Sequence, residues 1–168
     1  MDTIDPATRS RVMSAIHSRD TRPELLVRRH LWREGWRYRV CDRRLPGKPD
    51  IVVPRAHALV EIRGCFWHRH GWTWDGRKLV HEADCPGATT PKSNRAFWNA
   101  KFRANVRRDA AHEILWRDLG WNLIVIWTCA LAPARLPSTL SWLTRTLGKW
   151  AGLAPGMPPG KAGKRESS

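Results

Sequence analysis

Long apolar runs are missing from this chain of 168 residues. No stretch approaches the ~20 residues that a membrane-spanning helix needs. The first residues, Met1-Asp2-Thr3-Ile4-Asp5, carry acids where an export signal would have an apolar core. A cytoplasmic protein is therefore expected. Acidic residues are scarce, 15 Asp and Glu against 30 Lys and Arg, for a net charge of +15. That balance suits a polyanionic partner, because each phosphate contact releases counterions. Regular CxxC pairs and internal repeats are also absent. With no export signal, the four cysteines, Cys41, Cys65, Cys85 and Cys129, point to an irregular metal site or free thiols rather than disulfides. Tyrosine occurs once and phenylalanine three times, against eleven tryptophans. Some of these belong in a core, but several flank basic residues, where stacking on bases is open to them.

What is present suffices for one domain with a real core. Hydrophobic residues make up 42% of the chain, which excludes disorder throughout. Asp5-Pro6-Ala7-Thr8 opens a short helix over about Pro6 to His17, carrying Arg9, Arg11 and Met13. Thr21 and Glu24 have capping-box spacing ahead of a second helix with Leu25, Leu26, Val27 and Leu31 as its apolar stripe, stopped by Gly35. Alternation from Trp36 to Val40 predicts a strand. Ile51–Val53 and Ala58–Ile62 predict two more around a turn. Residues 71–93 show no period and read as a long loop. Ser93-Asn94 caps a long helix that ends at Gly120, and Trp121–Trp127 reads as a strand buried on both faces. A final helix is expected from about Ser138 to Leu147, with Gly148 as its stop. The expected fold is α/β, a mixed sheet flanked by helices. Three parts are expected: an N-terminal basic helix (1–20), a main domain (21–150) and a disordered basic tail (151–168).

The richest stretch runs from Pro49 to His70. Asp50 begins one strand and Glu61 lies at the end of the next, so a hairpin sets two carboxylates side by side. This is the PD…ExK arrangement of metal-dependent nucleases, with Arg63 in the lysine place. Phosphodiester hydrolysis needs a divalent ion, and Mg²⁺ accepts one or two carboxylates plus phosphate and water. Alternation points Glu61 and Arg63 the same way, leaves the Ile62 carbonyl for the metal, and lets Arg63 face the scissile phosphate as a fixed cation. Glu24 is either a third acid for this site or the capping-box residue.

Cys65, His70, Cys85 and Cys129 would make a closed tetrahedral Zn²⁺ site and tether the long loop; His81 is a rival ligand. Cys41 reads as a free thiol. Phe66-Trp67 lie between the acid hairpin and a zinc ligand, and are either core residues or a wedge inserted between base steps. His68 is a candidate general base. On the long helix Trp98, Phe102, Asn105 and Asp109 share one face, so Asp109 either orients His68 or pairs with Arg108 or Lys101. Arg95, Lys101, Arg103, Arg107 and Arg108 supply phosphate contacts or a solvated face.

Leu45-Pro46-Gly47-Lys48-Pro49-Asp50, Gly64-Cys65-Phe66-Trp67-His68, Ser93-Asn94-Arg95-Ala96-Phe97-Trp98, Asn105-Val106-Arg107-Arg108-Asp109 and Gly120-Trp121 through Ile126-Trp127-Thr128-Cys129-Ala130-Leu131 together resemble the very-short-patch-repair (Vsr) DNA mismatch endonucleases. Thr8-Arg9-Ser10-Arg11-Val12-Met13 fits the same pattern. The resemblance implies a restriction-endonuclease-like fold, a T·G mismatch as target and an Mg²⁺-dependent nick 5′ of the mispaired thymine. By it Asp50 and the Ile62 carbonyl match metal ligands, His68 the catalytic histidine and Asp109 its helper. Phe66, Trp67 and Met13 match residues entering the DNA from its two sides, and Cys65, His70 and Cys129 match zinc ligands. Two places depart from the family pattern. Trp72 stands where the third zinc cysteine is expected, leaving Cys85 to serve from an insertion. Glu61 and Arg63 stand where the family has no acid and a polar residue or histidine.

The expected function is a mismatch-directed strand-nicking endonuclease acting as a monomer on duplex DNA, with Mg²⁺ catalytic and Zn²⁺ structural. Arg9, Arg11 and Lys48 join Met13, Phe66 and Trp67 as DNA contacts. The alternatives are a related nuclease with a restriction-like or mobile-element target, and a non-catalytic zinc-stabilised DNA-binding protein.

Overall fold

The computed structural model describes residues 20–153. The expected helix over Pro6 to His17, with Arg9, Arg11 and Met13, and the tail beyond Leu153 lie outside the described residues. Helix α1 (Arg22–Arg33) leads to β1 (Arg39–Val40), β2 (Ile51–Val53), a 3-10 turn (Pro54–Ala56) and β3 (Ala58–Arg63). A one-turn helix α2 (Cys65–His68) follows, then β4 (Trp72–Trp74), β5 (Leu79–His81), the long helix α3 (Arg95–Asp118), β6 (Asn122–Trp127), a second 3-10 turn (Thr128–Leu131) and α4 (Leu136–Trp150).

The main sheet runs β1-β2-β3-β6. The first three strands are antiparallel neighbours, and β6 returns parallel to β3 after the α2–α3 crossover. Because side chains alternate along a strand, the sheet sorts its residues by parity. Ile51, Val53, Ala58, Val60, Ile124 and Ile126 point to one face, where Val27 and Leu31 of α1 and Leu143 and Leu147 of α4 meet them. Val52 and Leu59 point to the other, against Trp116 of α3. The result is the expected mixed α/β sheet with helices on both faces. It puts the acids at the end of the β2–β3 hairpin between α1 and α3.

Several expectations are corrected. Residues 71–93 are not a structureless loop: β4 and β5 pair antiparallel in a second sheet, Trp72 opposite His81 and Trp74 opposite Leu79. Three-residue strands are too short to show a period, and a two-stranded ribbon needs support. Here the Gly71 carbonyl accepts the N–H groups of Glu82 and Ala83 at 2.8 and 3.2 Å, and a Cβ on Gly71 would stand 1.8 Å from the Ala83 oxygen. The strand expected from Trp36 shrinks to Arg39–Val40, because Trp36 leaves the sheet edge to fill the core. Strand β6 is not buried on both faces. It closes the sheet as an edge strand, with Ile124 and Ile126 buried and its other side chains half-buried.

Gly148 does not stop the last helix, which begins two residues early and runs to Trp150. The stop is Gly152, at φ +67. Leu153 N–H reaches the Gly148 carbonyl at 2.9 Å and Gly152 N–H that of Lys149 at 3.2 Å, the bond pair of a Schellman motif. Ala151 and Leu153 still pack against the core. The capping boxes also differ from expectation. Neither Thr21 nor Asn94 caps its helix through its side chain, and Asn94 is itself left-handed at φ +51.

Candidate active site and metal centre

The register of the β2–β3 hairpin, Ile51 opposite Val60, places Asp50 beside Glu61. The two are cross-bonded. Asp50 N–H donates to Glu61 Oε1 at 3.1 Å, and Ile62 N–H donates to Asp50 Oδ2 at 2.8 Å. Burial, then the charge of Asp50, push the Glu61 carboxyl up to about 7, against the pull of Arg63. Asp50 is raised too, by burial first and by Glu24, with the Ile62 N–H opposing. Two largely enclosed carboxylates this close oppose each other's ionisation, and such a pair suits a divalent cation as a shared partner.

Glu24 of α1 lies near Asp50 but does not form the expected capping box. It is buried and raises Asp50, while its oxygens accept from the Thr21 hydroxyl at 2.8 Å and the Asp20 N–H at 3.0 Å. Arg28, absent from the sequence reading, braces it from the next turn at 2.9 Å and also pairs with Asp20. Its signal was the i,i+4 spacing from Glu24.

Arg63 departs from expectation. Its guanidinium is buried rather than turned to open space where a phosphate would lie, and Nη1 donates to Glu113 of α3 at 2.6 Å. Strand alternation set its direction, but the long side chain found an acid on the facing helix. Glu113 was missed although it lies one turn beyond Asp109.

The strand β3 runs straight into α2, which carries Cys65, Phe66, Trp67 and His68. His68 Nδ1 lies 2.5 Å from Asp109 Oδ2. A carboxylate on Nδ1 fixes that nitrogen as the donor and leaves Nε2 as the basic one. Burial would raise Asp109, but the hydrogen bond and charge of His68, with Arg63 and Arg108, outweigh it and hold the carboxyl below its usual range. Arg108 also approaches Asp109 at 3.3 Å, so the expected ion pair exists beside the histidine contact.

Phe66 and Trp67 meet edge to face at 5.0 Å, and Phe66 contacts Trp98 and Phe102 at 5.3 Å each. The Asn105 amide donates to the Trp67 carbonyl at 2.9 Å. Both wedge candidates are half-buried. Lys48 is exposed at φ +53, two residues before Asp50.

The ligand atoms of Cys65, His70, Cys85 and Cys129 all lie within 4.8 Å of one another. Cys129 Sγ is 3.3 Å and Cys65 Sγ 3.9 Å from His70 Nδ1. His81 is outside this cluster, exposed and paired with Asp84 at 3.1 Å. Burial, then Cys65, raises the Cys129 thiol to about 11. Burial also acts upward on Cys65, yet the Thr128 hydroxyl and the Cys129 backbone bring it below its usual value. Crowded thiols that cannot all ionise alone fit a cation that would let them, and three sulfurs with one imidazole are a tetrahedral donor set. The cluster joins the end of β3, the hairpin's return and the exit of β6.

No helix among the described residues is long and apolar enough to cross a membrane. Residues 1–74 match the family model described as DNA mismatch endonuclease Vsr. The chain is 40% identical to the type II nicking enzyme V.NmeAIP of Neisseria meningitidis over 77% of this chain and 84% of that one. It is 36% identical to the DNA mismatch endonuclease Vsr of Escherichia coli, over 89% of this chain and 86% of that one. It is also 36% identical to the type II nicking enzyme V.XorIIP of Xanthomonas oryzae, over 78% and 87%. With that similarity over most of its length and an acid hairpin beside a histidine–aspartate pair, the chain belongs to the Vsr family and is a DNA endonuclease.

Proposed function

We propose that the protein nicks one strand of duplex DNA 5′ of the thymine in a T·G mismatch, with Mg²⁺, and so opens very short patch repair. One observation carries the reading: the Asp50–Glu61 pair and the His68–Asp109 pair flank the same turn, with Phe66 and Trp67 between them. Asp50, Glu61 and the Ile62 carbonyl would hold Mg²⁺, with Glu24 behind Asp50. When bound, the ion supplies charge stabilisation at the phosphate and activates water. His68, held by Asp109 through Nδ1, presents Nε2 to take a proton from the attacking water. Phe66 and Trp67 enter the stack beside the mismatch, and Met13 meets them from the other side. Arg9, Arg11 and Lys48 contact phosphates. Cys65, His70, Cys85 and Cys129 would hold a structural Zn²⁺ that ties α2 to the exit of β6. The enzyme works in the cytoplasm as a monomer, because one nick needs one site.

Labelled duplexes differing only in T·G, T·A or C·G test this. A nick 5′ of the T in the T·G duplex alone is expected. Cutting of perfectly paired DNA at one sequence would favour the second reading, a related nuclease with another target. That reading is favoured by Glu61 and Arg63, which restore the general PD…ExK form beside Asp50.

A further inference from the structure

Arg63 ends the β3 strand beside the acid pair, and its surroundings are asymmetric. Its side chain is 6% exposed, between Glu61 at 16% and Glu113 at 24%. To Glu113 it makes a short bond, Nη1 to Oε1 at 2.6 Å. To Glu61 it is close but not bonded, Nε to Oε2 at 4.0 Å. Nε and Nη2 form the remaining edge of the guanidinium, a ready fork for a carboxylate. Both are buried with no hydrogen-bond partner. Buried donors left without an acceptor are unfavourable, because their lost hydration is not replaced. The relaxed solution would be for that edge to close on Glu61, which means shortening the 4.0 Å gap by about 1 Å. It does not, because Glu113 holds the other end, itself braced by Arg117 at 3.1 Å from the next turn.

The consequence concerns Glu61. Its Oε1 already accepts the Asp50 N–H, and Oε2 is the oxygen turned to Arg63. A closed Arg63–Glu61 fork would occupy the carboxylate that the metal needs. We infer that Glu113 is a positioning residue for the nicking reaction, holding the Arg63 guanidinium off Glu61 so that this carboxylate stays open to a divalent cation. The inference rests on the metal-site reading of Asp50 and Glu61 given above. It also explains why an acid sits one helical turn beyond Asp109: one face of α3 sets the histidine through Asp109 and the metal carboxylate through Glu113 and Arg63.

The test is Mn²⁺ binding to the full, zinc-loaded chain without DNA, followed by the electron paramagnetic resonance signal of the free ion. Glu113→Gln is nearly isosteric and should weaken Mn²⁺ about tenfold, with Glu113→Asp recovering part of the loss. In an Arg63→Met background, Glu113→Gln should have no further effect, since there is no guanidinium left to collapse. Arg63→Gln replaces Arg63→Met if the latter does not fold. Nicking assays should then show Glu113→Gln raising the Mg²⁺ needed for half-maximal rate while kcat at saturating Mg²⁺ changes far less. The inference is overturned if Glu113→Gln shifts thermal stability yet leaves Mn²⁺ affinity within about twofold, or if the two substitutions simply add. Wild-type binding that ignores Asp50→Ala would show instead that the metal site itself is misread, and the inference would fall with it.

Discussion

Asp109 stands 41 residues beyond His68, yet its carboxylate meets the imidazole Nδ1 at 2.5 Å. The contact ties the turn after β3 to the middle of α3. It makes Nδ1 the donor and leaves Nε2 as the ring's acceptor nitrogen. In Asp109→Asn the amide can present its N–H to Nδ1, which favours the opposite tautomer. Nicking should fall about 10²–10⁴-fold, while mismatch DNA is held as tightly as before. Single-turnover rates and gel-shift affinities on the same duplex check this; a parallel loss of binding would mean that Asp109 serves the wedge instead.

Glu61 sets a pH dependence with a definite sign. Its carboxyl is raised from 4.5 to about 7 in the folded protein by burial and Asp50. The folded state therefore keeps a proton that the unfolded chain has released. The contribution of this group is fully present below about 4.5 and is lost as the pH climbs through about 7. Without Mg²⁺, the melting temperature of wild type should drop relative to Glu61→Gln by a few °C between about pH 5 and pH 8. Mg²⁺ should restore more at the upper pH than at the lower. A flat difference between the two proteins would show that Glu61 is not buried as described.

Gly47 and His112 are in van der Waals conflict with any side chain. The glycine sits at φ +73, and a Cβ there would stand 2.7 Å from His112 Nδ1. Gly47→Ala should destabilise the protein by about 1–3 kcal/mol through the clash and the left-handed backbone together. Adding His112→Ala should return the steric part and leave ~1 kcal/mol or more of backbone cost. Denaturant melts of the three proteins separate the two parts. Nicking should suffer in step, because Gly47 lies three residues before Asp50.

Cys85 and His81 divide over the metal cluster. Cys85→Ser should lower bound zinc well below one ion per chain and reduce the melting temperature by about 10 °C or more. His81→Ala should leave both unchanged, since His81 faces Asp84 and the Trp72 ring outside the cluster. Metal content by mass spectrometry beside a thermal melt decides between them.

The strands that carry the acids were legible because their signals are local. Ile51–Val53 and Ala58–Arg63 are short apolar runs around a turn, and pairing them could only bring Asp50 to Glu61. The Asp109 contact was legible by helical spacing from Trp98 and Phe102. Glu113 and Arg28 were not, although both lie at helical spacing from residues already singled out. Their roles depend on partners from β3 and from the turn before α1, which no period within one helix reveals. The β4–β5 ribbon was hidden for a related reason: its strands are stabilised by Gly71 and by packing on α3 rather than by their own pattern. The last helix was misjudged at both ends. A glycine within a helix costs only ~1 kcal/mol, and Gly148 meets no neighbour that would add to it.

Helix α3 touches the catalytic half of the molecule at Asn105, Asp109, Glu113 and Trp116. They reach in turn the Trp67 carbonyl, the His68 ring, the Arg63 guanidinium and the Pro46 carbonyl, the last at 2.8 Å. These positions recur at three- and four-residue steps, so each contact depends on the count of residues between it and the next. One residue inserted between Asn105 and Trp116 would turn everything beyond it by about 100°. The segment thus depends on its length as well as on these four side chains. The ribbon between Gly71 and Ala83 can grow or shrink without disturbing that count. In this molecule a change of length is better tolerated in the ribbon than along α3, where the spacing sets four contacts at once.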